Sequence, residues 1–278
     1  MNFTEKIRRA LVEFAGFDLD TYKTEPRMMS LPARLIPSIT FYSRLIAIVI
    51  RASRKAKRGQ YDTREWCQSS LATLRALEHV GARIEITGID NIRTTTGPCV
   101  FIGNHMSTLE TFLLPFIIAP IKETTFVVKQ SLIEYPIFKY VMRSRNPITV
   151  GRSNPRDDLR AVLEGGIAVL KAGTSVIIFP QTTRTTVFDP KQFNSIGVKL
   201  ARNAGVPVIP IALKTDAWGN GKYLKDFGRI DRAKPVHFAF GKPLLIGVRG
   251  SEEHQEIIDF ITGKLKEWER EAENPANC

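Results

Sequence analysis

The chain has 278 residues, 43% hydrophobic and 24% charged, which is a globular composition and excludes a disordered chain. Its three cysteines are widely spaced, which excludes a disulfide framework or a zinc ribbon and favours a reducing compartment. The net charge is +12, and residues 1–58 hold 12 Lys and Arg against 5 Asp and Glu. This basic N-terminal part indicates an anionic partner, either lipid head groups or nucleic acid.

The first 80 residues have mainly helical patterns. Acidic residues occur early and no continuous apolar run follows the N-terminus, so we predict no cleaved signal peptide. We predict a short amphipathic helix and a polar connection within 1–30, and two helices over 38–58 and 62–80.

An apolar stretch, Leu35–Ile50, lies at the centre of this N-terminal part. Pro37 interrupts it and Arg44 lies within it, so it is too short and too polar for a membrane-spanning helix. Cationic residues follow at once, which is typical of a helix that lies in the membrane interface and places its cations near lipid phosphates. The cationic residues are Arg51, Arg54, Lys55, Lys57 and Arg58. The alternative is a core helix whose basic end is solvated.

From residue 82 short β-branched runs alternate with longer helical patterns. Such alternation predicts an α/β fold with a mostly parallel, mixed sheet flanked by helices. We therefore divide the chain into an N-terminal helical, membrane-associating segment (1–80) and an α/β domain (81–278). The predicted strands are Arg83–Thr87, Cys99–Gly103, Thr125–Val128, Ile148–Val150, Thr174–Phe179, Val208–Leu213 and Val236–Phe240, and the predicted helices lie near 108–118, 130–143, 155–172, 192–204 and 252–271.

Three polar segments directly follow predicted strands: Asn104-His105, Gly151-Arg152 and the segment from Pro180 to Arg184. Ligands of open α/β sheets bind beyond the carboxyl ends of the strands. If the strands are parallel, one histidine and two arginines meet in one cleft. The sequence therefore predicts a candidate site at this edge of the sheet.

His105 is the candidate general base of this cleft, since imidazole is the usual proton acceptor near neutral pH. It needs an acidic partner, and Glu110 is the candidate. The segment Ser107-Thr108-Leu109-Glu110 also has the pattern of a helix capping box, so Glu110 could instead cap the helix that begins at Thr108. One carboxylate could also serve both partners.

Arg152 and Arg184 suit a phosphate group, because the planar guanidinium matches phosphate oxygens. The alternative for each arginine is a surface ion pair. No Walker A motif, dinucleotide-binding glycine motif or serine nucleophile motif is present, and no histidine motif for a metal occurs.

Four short blocks, taken together, resemble the membrane-associated glycerolipid acyltransferases, such as the 1-acylglycerol-3-phosphate acyltransferases. A further stretch, from Lys129 to Tyr135-Pro136-Ile137-Phe138, is similar to the K-x-x-L-x-x-x-P-x-F stretch of that family. The blocks are Asn104-His105-Met106-Ser107-Thr108-Leu109-Glu110 (family pattern N-H-x-S-x-x-D), Ile148-Thr149-Val150-Gly151-Arg152, Phe179-Pro180-Gln181-Thr182-Thr183-Arg184 (family pattern F-P-E-G-T-R) and Val206-Pro207-Val208-Ile209-Pro210 (family pattern V-P-[IV]-x-P).

The resemblance implies that His105, oriented by Glu110, deprotonates the hydroxyl of a lysolipid acceptor. The resulting alkoxide then attacks the thioester of acyl-CoA or acyl-carrier protein. It implies no metal and no cofactor beyond this acyl donor. From the N-terminal pattern we expect a peripheral location on the cytoplasmic face of an anionic membrane, and from the missing binding motif we expect no nucleic acid partner. The substrate-binding residues that the resemblance implies are Asn104, Ser107, Lys129, Arg152, Gln181, Thr182, Thr183 and Arg184.

The chain departs from the family pattern at three positions. Glu110 stands for an aspartate, Gln181 for a glutamate and Thr182 for a glycine. One extra methylene at residue 110 moves a carboxylate by roughly 1.5 Å. We therefore expect an acceptor that differs from plain lysophosphatidate or is held differently.

Two rival hypotheses remain open. One is a lipid-binding protein of the same fold without catalytic activity, which the altered first and third blocks support. The other is a basic nucleic-acid-binding protein, which only the charge supports, since no recognisable binding motif is present.

Overall fold

The structure, a computed structural model, describes residues 20–26, 28–136, 138–151, 154–181, 183–222 and 225–273. Its strands form one mixed sheet in the order β1-β2-β8-β7-β3-β6-β4-β5. The strands are β1 (Tyr22–Lys23), β2 (Ile84–Thr87), β3 (Val100–Gly103), β4 (Thr124–Lys129), β5 (Ile148–Val150), β6 (Ser175–Ile178), β7 (Val208–Lys214) and β8 (Val236–Phe240).

Helices cover both faces of this sheet, as the alternating pattern predicted. A mostly parallel sheet must be covered on both faces, because its strands are apolar on both sides. The helices are α1 (Leu31–Leu35), α2 (Pro37–Lys57), α3 (Thr63–His79), α4 (Asp90–Arg93), α5 (Leu109–Ile118), α6 (Phe138–Arg143), α7 (Pro155–Lys171), α8 (Ile196–Ala204) and α9 (Ser251–Glu273).

The predicted α/β fold with a mostly parallel, mixed sheet is confirmed. Strand pairs are parallel except β1–β2 and β7–β8. Strands β7, β3, β6, β4 and β5 all run in one direction, so their carboxyl ends lie at one edge of the sheet. The predicted strands match the observed ones to within one residue at either end.

Two predicted helices were wrong in their extent. The pattern over 130–143 is a 3₁₀ turn at Gln130–Ile133 followed by α6, because Pro136 has no N–H and disfavours helical backbone at Tyr135. The helix predicted from residue 192 begins at Ile196. Within the segment 1–30, where we predicted a short amphipathic helix and a polar connection, Tyr22–Lys23 forms β1 and pairs with β2, and residues 1–19 lie outside the described residues.

Alternation along the central strands divides the core into two layers. Phe101, Ile177 and Ile209 are paired across β3, β6 and β7 and point to one face, where they pack with α2, α3 and α5. Val100 and Val176 point to the other face and pack with α7, α8 and α9. In the described part of the chain, no helix combines the length and hydrophobicity of a membrane-spanning segment.

Gly88, between β2 and α4, has a positive φ of 75°, and an added Cβ would lie 2.2 Å from the carbonyl oxygen of Phe240. Gly97 has a φ of 73° with nothing within 4 Å of an added Cβ, which makes it the matched control. We predict that Gly88→Ala lowers the free energy of unfolding by about 2–4 kcal/mol and Gly97→Ala by about 1–2 kcal/mol. Chemical denaturation of the two variants measures both, and equal losses would contradict the packing argument.

Candidate active site

Asn104 connects the carboxyl end of β3 to the neighbouring strand β7. Its side-chain NH₂ donates to the carbonyl oxygen of Leu213 at 2.7 Å, and its side-chain oxygen accepts the N–H of Leu213 at 2.8 Å. The side chain is buried, and its two hydrogen bonds continue the pairing of β3 with β7 by one residue beyond the end of β3. This contact fixes the backbone from which His105 projects, and the predicted contact of Asn104 with substrate remains a prediction.

The His105 imidazole is held in a defined orientation. Its ring stacks on Phe179, with the ring centroids 4.5 Å apart and an angle of 6° between the ring planes. Nδ1 lies 2.9 Å from Oε1 of Glu110. When Nδ1–H donates to this carboxylate, the lone pair of the neutral ring is on Nε2. The side chain is 16% exposed, so the ring is partly open to solvent.

Glu110 lies in the first turn of α5 and is fully buried. Oε1 accepts the backbone N–H of Met106 at 2.7 Å and of Ser107 at 3.0 Å. Oε2 accepts the hydroxyls of Ser107 at 3.0 Å and Thr215 at 2.7 Å. Burial alone would raise the pKa of Glu110, but the hydrogen bond and charge of His105 and the bonds from Thr215 and Ser107 outweigh it. The pKa of Glu110 is therefore lowered, and the carboxylate is charged.

The structure shows one carboxylate making both contacts that the sequence left open. Glu110 bonds to His105 and also to the N–H of Ser107, while the Ser107 hydroxyl accepts the N–H of Leu109 at 3.1 Å. These backbone bonds are those of a capping interaction around Ser107. The helix begins at Leu109, one residue later than predicted. The longer glutamate side chain therefore reaches the imidazole while it caps the helix.

The segment after β6 touches His105 at its backbone. Oε1 of Gln181 accepts the N–H of His105 at 2.6 Å, and the N–H of Thr185 donates to the carbonyl oxygen of His105 at 3.0 Å. Gln181 is buried, and this bond gives it a structural contact with the histidine backbone. A role of Gln181 in binding substrate remains a prediction.

Arg184 lies beside the histidine loop. Its Nη1 is 2.7 Å from Oδ1 of Asp226, and its guanidinium donates to the hydroxyl of Thr108. The side chain of Arg184 is 18% exposed and that of Asp226 is 46% exposed. The arginine is thus in an ion pair, which was the alternative to phosphate binding, and this pair lies beside the predicted site.

The other predicted residues are less constrained by the structure. Lys129, at the carboxyl end of β4, and Thr183 are exposed, and their side chains make no hydrogen bond to another described residue. Arg152 and Thr182 lie outside the described residues. Gly151, just before Arg152, donates its N–H to Asp158 in the first turn of α7 at 2.9 Å.

Sequence reasoning missed two residues of this cluster, Thr215 and Asp226. Thr215 is fully buried and directly follows β7, so the rule on carboxyl strand ends could have found it. Asp226 lies in the connection between β7 and β8, and no local pattern distinguishes it from any other polar loop residue.

Neither cysteine in the described part of the chain offers a nucleophilic thiol. Cys67 and Cys99 are buried, and burial raises the pKa of their thiols to about 12 and about 11. Both thiols are therefore protonated at neutral pH and are poor nucleophiles. In the part of the chain that the structure describes, no group of three or more His, Cys, Asp or Glu side chains could hold a metal ion.

Comparison with protein families matches residues 83–214 to the family model described as Acyltransferase. The 1-acyl-sn-glycerol-3-phosphate acyltransferase of Pseudomonas aeruginosa is 36% identical over 155 residues, which are 56% of this chain and 58% of that protein. The enzyme of the same name from Borreliella burgdorferi is 29% identical over 197 residues, covering 69% of this chain and 67% of that protein. This chain thus spans less than two thirds of the length of the Pseudomonas relative.

Among solved structures, the fold is similar to that of the 1-acyl-sn-glycerophosphate acyltransferase PlsC from Thermotoga maritima. The TM-score is 0.62, and the match covers 85% of this chain and 96% of that chain at 20% sequence identity. This similarity therefore extends over most of both chains and concerns the fold alone.

Thr215 allows a test of the buried carboxylate. We predict that Thr215→Val lowers the free energy of unfolding by about 1.5–3 kcal/mol at neutral pH, because a hydrogen bond to a charged group is lost. It also raises the pKa of Glu110 toward its usual value of 4.5. The stability that an ionised Glu110 contributes is present above its unfolded pKa and is lost as the pH falls through the folded pKa, so the acid-unfolding midpoint moves to higher pH.

Acid and urea unfolding of Thr215→Val beside Thr215→Ser measures this effect, since the serine keeps the hydroxyl. A midpoint that does not move in Thr215→Val, or that moves equally in both variants, would contradict the assigned hydrogen bond.

Proposed function

We propose that this chain is a member of the glycerolipid acyltransferase family and an O-acyltransferase acting on lysophospholipids of the 1-acylglycerol-3-phosphate type. The acyl donor is acyl-CoA or an acyl-carrier protein. The observation that carries this proposal is the 2.9 Å bond between Nδ1 of His105 and the buried carboxylate of Glu110. The names of the similar proteins support the acceptor class.

In the proposed mechanism His105 is the general base. Its Nε2 takes the proton of the acceptor hydroxyl while the oxygen attacks the thioester carbonyl. Glu110 holds the ring in the tautomer that leaves Nε2 free, and its charge stabilises the imidazolium that forms. The tetrahedral intermediate collapses, the sulfur leaves, and the imidazolium returns its proton to the thiolate. The new ester and the free thiol balance the reaction.

The anionic part of the acceptor has cationic candidates near this base. Arg184 is bonded to Thr108, three residues after His105, and a guanidinium binds phosphate oxygens in a fork. We propose that Arg184, Arg152 and Lys129 bind the phosphate and that Thr182 and Thr183 are further substrate-binding residues. Asn104, Ser107 and Gln181 hold the histidine loop, and their contact with substrate is part of the same proposal.

We also propose that residues 1–80 form the segment through which the protein binds an anionic membrane, on its cytoplasmic face. Leu31 and Leu35 lie four residues apart in α1, and Ile39 and Ile46 lie seven apart in α2, so each pair shares a helix face. All four side chains are exposed, by 67%, 71%, 65% and 49%. Cations follow at the end of α2, where Arg51, Arg54 and Arg58 are exposed. An exposed apolar strip that ends in cations is typical of an interfacial helix.

The first experiment measures acyl transfer from labelled acyl-CoA and acyl-carrier protein to lysolipids in vesicles. We predict that His105→Ala lowers kcat by about 10²- to 10⁴-fold, because the general base is lost. Glu110→Gln should lower kcat by about 10²-fold or more, because an amide can donate to Nδ1 and so favour the wrong tautomer. Glu164→Gln, at an exposed ion pair of α7, is the control for a glutamate change elsewhere.

If Glu110 only caps α5, Glu110→Gln would reduce stability by about 0.5–2 kcal/mol and leave kcat near that of the native protein. That outcome would contradict the proposed catalytic pairing of His105 with Glu110.

No product from any acceptor, with vesicle binding intact, would instead favour a lipid-binding protein without catalytic activity. Turnover of lysophosphatidate at a rate normal for the family would reject the expectation that the altered blocks change the acceptor.

The membrane proposal predicts that Leu35→Asp combined with Ile39→Asp lowers the vesicle-bound fraction at least about tenfold, because apolar burial in the interface is lost. Flotation with vesicles that contain an anionic phospholipid measures this. The matched control is Leu245→Asp with Val248→Asp, two side chains that are 82% and 94% exposed outside the N-terminal helices. Equal loss in both double variants, or no loss in the first, would contradict the proposal. A DNA retention assay on the same preparations tests the nucleic-acid hypothesis.

A further inference from the structure

Arg184, which we propose binds the phosphate of the acceptor, is already paired with an anionic side chain of the same protein. Nη1 of Arg184 is 2.7 Å from Oδ1 of Asp226, and Arg184 also donates to the hydroxyl of Thr108. The Thr108 hydroxyl donates in turn to the same Asp226 oxygen at 3.1 Å. The three side chains thus form a closed triangle of contacts, in which one carboxylate holds both the guanidinium and the hydroxyl.

This triangle lies beside the proposed base. Thr108 is in the loop after β3, three residues after His105. In the segment after β6, Gln181 bonds to the N–H of His105 and Thr185 bonds to its carbonyl oxygen. Arg184 precedes Thr185 directly, so its backbone is fixed relative to the histidine. The charge of Asp226 is therefore close to the loop that carries the proposed base.

The backbone at and after Asp226 is also held in place by hydrogen bonds. Its carbonyl oxygen accepts the indole N–H of Trp218, a buried side chain, at 3.1 Å. Two residues later the carbonyl oxygen of Gly228 accepts the Tyr42 hydroxyl at 2.5 Å, and the N–H of Ile230 donates to Ser38 at 3.0 Å. The last two contacts are with α2. The carboxylate thus projects toward Arg184 from a backbone that is bonded at Asp226 itself and at Gly228 and Ile230.

We propose that Asp226 is a specificity-determining residue, which occupies Arg184 in the free protein and competes with the phosphate monoester of the acceptor. This inference rests on the proposed function, in which Arg184 binds that phosphate. A guanidinium carries one positive charge, so a carboxylate already in contact with it reduces the attraction for a second anion. A phosphate must therefore displace the carboxylate or share the guanidinium against like-charge repulsion. An acceptor without a phosphate meets no such competition.

The test is Asp226→Asn, which removes the charge and keeps an oxygen that can accept from Thr108 and Arg184. We predict that it lowers KM for lysophosphatidate by roughly three- to tenfold, with kcat changed less than about twofold. The inhibition constant of inorganic phosphate should fall by a similar factor. KM for monoacylglycerol and KM for acyl-CoA should not change, which assigns the effect to the acceptor phosphate rather than to phosphates of the donor.

Two further variants are matched controls. Asp231→Asn makes the same charge change at a turn of the same connection, where the Asp231 carboxylate accepts the N–H of Ala233, and it should leave all these constants unchanged. Asp226→Glu keeps the charge and should retain a KM near that of the native protein. Asp226→Ser is a second neutral variant in case Asp226→Asn does not fold, as its melting temperature will show.

A KM for lysophosphatidate that is unchanged or raised in Asp226→Asn, while Arg184→Ala raises it, overturns the competition and leaves the proposed function intact. The same fall in Asp231→Asn also overturns it, since long-range charge would then explain the effect. If Arg184→Ala leaves KM unchanged, the binding of phosphate by Arg184 fails instead. Calorimetry measures the dissociation constant of inorganic phosphate for the native protein and the same variants without turnover. We expect Asp226→Asn to bind phosphate more tightly than the native protein.

Discussion

The buried carboxylate of Glu110 is the constraint on which the candidate site depends. A charge without solvent contact is stable only if hydrogen-bond donors surround it. The protein supplies the imidazole of His105, two backbone N–H groups of the preceding loop, and the hydroxyls of Ser107 and Thr215. These donors come from the loop after β3 and from the end of β7, so satisfying one charge fixes the loop between β3 and α5 against the neighbouring strand.

This arrangement restrains both the side chain and the backbone of His105. Its ring is bonded at Nδ1 and stacked on Phe179, while its backbone is bonded to Gln181 and Thr185 on the adjacent segment. Restraint of this kind lowers the cost of organising a reacting geometry, since the base needs no reorientation when substrate binds. The same restraint extends through Thr108 to Arg184, and from there through the connection after β7 to the N-terminal helix α2. The site and the proposed membrane segment are thus joined by contiguous contacts.

Much of the fold could be predicted because local patterns carry it. Short β-branched runs located seven of the eight strands to within one residue, all except β1, and the direction of parallel strands brought His105 and the segment around Arg184 to one edge. Contacts between side chains distant in sequence could not be predicted in this way. Thr215 meets Glu110 across 105 positions and Asp226 meets Thr108 across 118, and both contacts depend on strand register and loop course. Spacing likewise could not decide between capping and pairing with histidine, because one carboxylate makes both contacts.

The most direct test of the proposed base is the ¹⁵N NMR spectrum of the His105 ring in the intact protein, with His105→Ala used for assignment. We predict that the neutral ring carries its proton on Nδ1, bonded to Glu110, and leaves Nε2 unprotonated. We also predict that Glu110→Gln abolishes this preference for a base with a free Nε2. A neutral ring protonated on Nε2 in the native protein would contradict this proposal, because no lone pair would then face the acceptor hydroxyl.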